Sequence, residues 1–340
     1  MTSRPRISST RRSFVAGTAA AAASTFFIGR AKAADEIIMK LATVAPAGTP
    51  WADQLTKLKK HIKEATGGRV KVKAHLGGAL GDENATAEAT KRGTIQCFGG
   101  SIGALASAVP ELECIELPYL FPDAKSADRV LDEVIRADLD KLLWDRGYKL
   151  FFFSENGYRS IGSTFEIKSI SDLKGKKMRS QESKSHLDFW KAVGASPVPI
   201  SVTEVLSSLQ TGVVDGFDNT PLFAFAASWY QGVKHFTLTE HIYQPGVVVY
   251  SRKFWESLPA DLQTILSAEP EKLAKQGRRG VRAMGGQLIE NFRTAGITVN
   301  SLSATEKATF AATAGVAYAS FLKRASPSAA ALLKKIQDAL

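Results

Sequence analysis

Cysteine is scarce in this chain: 340 residues contain two, Cys97 and Cys114. There is no CxxC pair, so neither a zinc ribbon nor a thioredoxin-type redox motif is present. The five histidines (His61, His75, His186, His235 and His241) include no i,i+4 pair and no HExxH, which excludes the zinc-protease helix. No GxGxxG, Walker A loop or GxSxG elbow occurs, and "GGSIG" (Gly99–Gly103) has the wrong spacing for a dinucleotide fingerprint. No catalytic residue, metal site or cofactor is therefore expected. The chain also lacks a basic run interleaved with aromatics, so no nucleic-acid partner is expected.

What is present is an ordinary globular composition, with 44% apolar and 23% charged residues, enough for a sizeable core and two domains. The net charge is +11, but six basic residues and no acidic ones lie in residues 1–33, so the remainder carries about +5. Those first residues read as a targeting segment. "MTSRPRISSTRRSFVAG" is basic, "TAAAAASTFFIG" is apolar, and "AKA" before Ala34 is a small-x-small cleavage site. The apolar run of about 12 residues is too short for a bilayer core of ~30 Å. "TRRSFV" (Thr10–Val15) resembles the twin-arginine export motif. A cleaved twin-arginine-type signal over 1–33 and a periplasmic location are expected. An oxidising compartment permits a Cys97–Cys114 disulfide; two buried free thiols are the alternative.

Past residue 34 the hydrophobic pattern alternates between strands and helices. "EIIMKLATVAP" is a strand, and Thr49 then caps a helix that starts at Pro50. "RVKVKAHLG", "DENATAEATKRG" and "TIQCFGG" follow as strand, helix and strand, completing a βαβαβ unit with parallel strands. A second unit runs through "KGKKMRS", "SKSHLDFWKAVG", "SPVPI", a helix opened by a Ser201-x-x-Glu204 capping box, and "VVDGF". The prolines of "SPVPI" suit an edge strand. Two α/β lobes are expected rather than one large sheet. "PGVVVYS" and "GITVN" are further strands, a second capping box lies at Ser303-x-x-Glu306, and "GRRGVR" near Arg278 reads as a solvated basic face.

Ligands in open parallel sheets bind beyond the carboxyl ends of the strands. In the second unit these ends carry Arg179, the "PISVT" loop and the polar stretch Asp215–Thr220 of "LQTGVVDGFDNTPL". An arginine there suits a carboxylate, because its planar fork makes two parallel charge-assisted hydrogen bonds. Asn219 would orient the same group. The alternative is a turn in which Asp218 and Asn219 bond only their own backbone.

"SISDLKGKKMRS" followed by "KAVGASPVPISVTEVLSSLQTGVVDGFDN" resembles the solute-binding proteins of tripartite ATP-independent periplasmic (TRAP) transporters, of the C4-dicarboxylate-binding-protein type. The likeness is dense over residues 170–219 and weaker elsewhere, as in "GALGDE" and "ELPYLF". It implies an α/β fold of two lobes, like type II periplasmic binding proteins. Each lobe would hold a mixed sheet with βαβ units and flanking helices. Hinge strands and a long lobe-spanning helix would join them. On this basis lobe 1 comprises 34–156 plus 245–284, and lobe 2 comprises 157–244 plus 285–340. The resemblance also implies capture of a small organic acid, membrane permease subunits as partners, and no enzymatic reaction. A periplasmic enzyme exported by the twin-arginine route, or a ligand sensor presenting its closed form to a receptor, are the alternatives. The carboxylate clamp falls on Arg179, with Asn219 and Arg159 as helpers. The loops Thr43–Thr49 and Phe98–Ser101 would set specificity. Where sugar-acid members often carry an acidic or polar residue, this chain has Gly99 and Gly100. A ligand with an apolar body is therefore expected, walled by Trp51, Phe98, Phe217 and Phe223 beside Gly100.

Overall fold

The computed structural model describes residues 36–340; the targeting segment and its cleavage site lie outside the described residues. Its strands are β1 (Ile37–Ala42), β2 (Val70–His75), β3 (Cys97–Ser101), β4 (Tyr148–Ser163), β5 (Lys177–Ser180), β6 (Ser196–Pro199), β7 (Gly216–Asn219), β8 (His235–Ser251) and β9 (Thr298–Ser301). They form one sheet in the order β2-β1-β3-β8-β4-β7-β5-β6, with β9 added to β8. The two βαβαβ units are present as the parallel triplets β2-β1-β3 and β7-β5-β6. The expectation of separate sheets is corrected, because two long strands join them. β4 has 16 residues and β8 has 17, and they run antiparallel side by side. β3 pairs with the C-terminal half of β8, and β7 with the C-terminal half of β4. Both triplets thus hang from one central ribbon. β4 carries register shifts at Leu150/Phe152, Glu155/Gly157 and Arg159/Ile161. Such bulges bend a strand and sharpen its twist. Gly157, at φ 105°, supplies the backbone conformation that the middle shift needs.

The first helix, Pro50–Ala65, forms as read: the Thr49 hydroxyl accepts the Ala52 N–H at 3.2 Å. Leu55, Leu58 and Ile62 are buried on its inner face. The Ser303 cap also forms, accepting the Glu306 N–H at 3.1 Å. The Ser201 box does not. Val202–Glu204 make a 3-10 turn, and the Glu204 N–H goes to the Ser201 carbonyl at 3.0 Å instead. β6 lies at the sheet edge, as its prolines require.

The third strand of the second unit is shifted from its expected place. It is "GFDN", not "VVDGF". Val213 is 49% exposed, and Asp215 precedes the strand, where its carboxylate accepts the Lys177 N–H at 2.8 Å. Asp218 and Asn219 are therefore inside the strand and buried.

Two consecutive helices, Pro270–Ala283 and Gly285–Thr294, form the long helical element. Arg278 on it is not solvated: it is 3% exposed, held by Asp128 at 3.2 Å and by Asp132. The last helix, Pro327–Gln337, shares its core with the first half of the chain through Leu332, Leu333 and Ile336. Cys97 and Cys114 are buried free thiols in different hydrophobic clusters.

Candidate ligand-binding site

Arg179 leaves β5 beside β7 and is 2% exposed. Its Nε–H donates to the Ile200 carbonyl at 2.9 Å, and its guanidinium lies 5.1 Å over the Trp229 ring. Among the described residues no carboxylate pairs with it, and its two terminal nitrogens have no hydrogen-bond partner. Burial, then repulsion from Arg159, pushes its pKa down to about 10, which still leaves it charged at neutral pH. A buried cation without a counter-ion is costly unless something arrives to pair with it.

Arg159, from β4, is placed differently. Its Nε–H donates to Asp218 Oδ2 at 2.5 Å and its Nη2 to the Asp218 carbonyl at 2.5 Å. Nη1 reaches Gln244 Oε1 at 2.9 Å, Gln181 Oε1 at 3.3 Å and Asn219 Oδ1 at 3.4 Å. Its charge is already matched inside the wall.

Behind this pair runs a buried polar network. His241 Nε2 lies 3.4 Å from Asp218 Oδ2, and His186 Nε2 lies 2.6 Å from Glu116 Oε2. Glu116 also accepts from the Gly103 N–H at 2.8 Å and from Gln181 Nε2 at 2.9 Å. Burial raises the Asp218 carboxyl, but Arg159 and the two histidines outweigh it and hold the group well below the usual range. Burial pushes His186 down, yet the Asp218 carboxylate, 3.8 Å from its Nδ1, and its bond to Glu116 overcome that and raise it. His241 is lowered by burial.

In front of Arg179 and Arg159 lies a narrow cavity. Asn219 opens onto it: its side-chain Oδ1 accepts the Thr220 N–H at 2.8 Å, and its amide nitrogen has no partner among the described residues. Trp51 forms part of the opposite wall, its indole N–H donating to Asn156 Oδ1. Gly246 allows this position, since a Cβ there would come 2.2 Å from the indole.

The structure thus brings Arg179, Asn219, Arg159, Trp51 and Gly100 to one cavity, with Phe223 at its edge. It does not bring Phe98 and Phe217 there. Both are fully buried. Phe98 packs in the first-half core, and Phe217 stands edge-on to Trp229 at 5.2 Å, supporting the ring under Arg179. Aromatic character alone could not separate a cavity wall from the layer beneath it.

Glu83 was missed. It opens the helix Glu83–Arg92 and lines the cavity, its carboxylate accepting the Ser101 N–H and Ser101 Oγ, each at 2.8 Å. Gly100 makes room for the Phe98 ring and for Glu83, because a Cβ there would meet Phe98 Cζ at 2.4 Å and Glu83 Oε1 at 2.6 Å. Burial raises the Glu83 carboxyl. With Ser101, Asn156, Gln181 and Gln244 on the wall beside Val44, Ala45, Trp51, Val202 and Phe223, the lining is mixed, polar around the arginines and apolar opposite them. The available signal was "GDE" (Gly81–Glu83) in the loop that leaves β2, beyond the carboxyl end of a parallel strand.

Residues 41–324 match the sequence model of the bacterial extracellular solute-binding proteins, family 7. The chain belongs to that family. A solute-binding protein of Verminephrobacter eiseniae is 32% identical, with 82% of this chain and 83% of that one aligned. The 2,3-diketo-L-gulonate-binding periplasmic protein of Escherichia coli is 26% identical over 83% of this chain and 86% of its own length. Among solved structures, a TRAP periplasmic solute-binding protein from a Polaromonas species, bound to D-erythronate, superposes with a TM-score of 0.83 at 29% identity. That match covers 89% of this chain and 98% of the other. The mixed α/β architecture is that of the TRAP solute-binding proteins, whose members are binding proteins and not enzymes.

Proposed function

We propose that this TRAP solute-binding protein captures a small organic acid by its carboxylate and delivers it to membrane permease subunits from the periplasm. The observation that carries the reading is Arg179: a buried, charged guanidinium whose free edge faces the cavity and pairs with no carboxylate among the described residues. A ligand carboxylate would supply the missing charge bidentately. Asn219 would donate its free amide to the same group. Arg159, held by Asp218, would orient Asn219 and offer its cavity-facing edge, while Trp51 and Gly100 complete the wall.

Capture would follow from closure of two lobes about β4 and β8, near the Glu155/Gly157 bulge. The lobes are 34–156 plus 245–284 and 157–244 plus 285–340, with the last helix packed on the first lobe. Asn84, which donates to Glu182 across the mouth, would be one of the closing contacts. Export would use the twin-arginine route, supported by the basic, apolar and AKA pattern of residues 1–33.

A thermal-shift screen against carboxylic acids tests the reading. An acid at 100 times its Kd should add ~2.7 kcal/mol of stability. If no carboxylate shifts the melt while a neutral or cationic solute does, the reading is wrong.

A further inference from the structure

Positive charge is concentrated on one edge of the sheet. Residues 57–73 hold seven basic residues and one acidic one, a net of +6, whereas residues 34–340 as a whole carry about +5. Outside that short stretch the charges nearly cancel. Lys40 joins the stretch through the sheet: β1 and β2 pair in parallel, with Lys40 beside Lys73 and Ile38 beside Lys71. Side chains alternate along a strand, so these four share one face. The opposite face, with Met39, Leu41, Val70 and Val72, packs on Leu55, Leu58 and Ile62 of the first helix. That helix lies over β2, the edge strand, and turns Lys57, Lys59, Lys60 and Lys63 to solvent. Cations thus flank the β2 edge on both sides.

Protection of an edge does not account for this pattern. Lysines on an edge strand block pairing with another sheet, which explains Lys71 and Lys73. Lys40 lies on an inner strand. Parallel sheets are ordinarily covered on both faces. Here Lys40, Lys71 and Lys73 are exposed, and Ile38 beside them is 37% exposed. Like charges side by side across two strands repel. Lys71 meets Glu36 at 3.3 Å, Lys60 meets Glu64 at 3.9 Å and Arg69 meets Asp261 at 2.5 Å. Among the described residues Lys40, Lys57, Lys59, Lys63 and Lys73 form no ion pair.

We infer that this edge docks the protein on an anionic phospholipid bilayer. Its cations are exposed or half-buried, so they make an open surface and not a pocket for a single anion. A bilayer presents a plane of phosphates that several flexible lysine stems reach together, and Ile38 adds an apolar contact. The ligand cavity stays clear of this edge, because Trp51 lines it from the first turn of the helix and the lysines follow in later turns. The inference goes beyond carboxylate capture and does not depend on it.

The test is flotation of the exported, processed protein with vesicles of phosphatidylcholine alone or with about one-third phosphatidylglycerol. Processing matters, because the basic residues 1–33 would bind anionic lipid by themselves. The protein should float with the phosphatidylglycerol vesicles, at least tenfold more than with phosphatidylcholine, and be released by high salt. Each cation near an anionic leaflet strengthens binding roughly fivefold, so Lys40→Gln, Lys71→Gln and Lys73→Gln together should weaken it roughly 100-fold. The triple change Lys57→Gln, Lys59→Gln and Lys63→Gln, on the helix, should also weaken it and decides the matter if the strand variant fails to fold. Lys174→Gln, Lys177→Gln and Lys191→Gln, exposed on the other parallel triplet, should leave it within about threefold. Absence of binding to phosphatidylglycerol vesicles overturns the inference, and so does equal binding to both vesicles. Equal losses in all three triple variants also overturn it, since net charge and not this edge would then decide. None of these results bears on whether Arg179 holds a carboxylate, which the thermal-shift screen tests separately.

Discussion

Replacing Asp218 by asparagine keeps the shape of the side chain and removes its charge, so it isolates the electrostatic part of the wall behind the cavity. Asp218 and Arg159 have side chains 1% exposed and lie 2.5 Å apart. After the substitution the guanidinium keeps neutral acceptors, Gln244 at 2.9 Å and the backbone carbonyl at 218 at 2.5 Å, but loses its anion. Breaking a buried pair by removing one partner costs ~3–5 kcal/mol. His186, whose Nδ1 is 3.8 Å from Asp218, can give up its proton and relieve part of the imbalance, which favours the lower end. Unfolding entropy of ~2 cal/mol/K per residue over roughly 300 residues makes 1 kcal/mol worth about 1.6 °C. Asp218→Asn is therefore predicted to lower the Tm of the ligand-free protein by about 5–8 °C in scanning calorimetry. The double variant Arg159→Met with Asp218→Leu, which removes both charges, should recover most of the loss, because a buried pair replaced by apolar residues is often neutral. A single variant melting within about 1 °C of wild type would refute the reasoning. So would a double variant no better than the sum of the single ones.

His186 is held protonated to a higher pH in the fold than its ordinary value of 6.5, by Asp218 and Glu116 against burial and against Arg159. Its stabilisation is complete below about pH 6.5 and disappears as pH rises through the raised value, so urea stability should fall across that window. His186→Gln should flatten the fall; equal slopes in both proteins would count against the assignment. Asn219→Ala should weaken binding of the screened acid about 5- to 150-fold, the effect of ~1–3 kcal/mol for an unmade buried hydrogen bond. Full affinity after that change would remove Asn219 from the site. Changing Arg11 and Arg12 together to lysine should leave precursor in the cytoplasm by fractionation, whereas normal periplasmic accumulation would indicate the general secretory route.

Local signals in the sequence carried far. Thr49-Pro50, the alternation in Val70–His75 and the Ser303 box each became the expected element because caps and period-2 patterns act within a few residues. Arg179 and Asn219 stood out because strand ends in parallel sheets face a crevice. What escaped depends on distant partners. β4 was not legible as one strand, since three bulges interrupt its alternation and both of its faces are largely covered. Arg278 looks solvated until Asp128 and Asp132, far away in sequence, are folded against it. Gly100 suggested an open, apolar wall, but the space it leaves is taken by the Phe98 ring and by Glu83, from a helix that precedes it in the chain. Phe98 and Phe217 have the composition of cavity residues and the burial of core ones.

The central claim is that Arg179 anchors the ligand's carboxylate, and calorimetric titration of Arg179→Ala with the best acid from the screen tests it most directly. Truncating one partner of a buried, hydrogen-bonded charge pair costs ~2–5 kcal/mol, so binding should weaken by roughly 30- to 4,000-fold. Arg179→Lys, which keeps the charge and loses the fork, should also bind poorly. The ligand-free variants should stay folded in a thermal melt, because among the described residues Arg179 has no carboxylate partner to leave stranded. An Arg179→Ala protein that melts normally and binds the acid within about threefold of wild type would contradict the account.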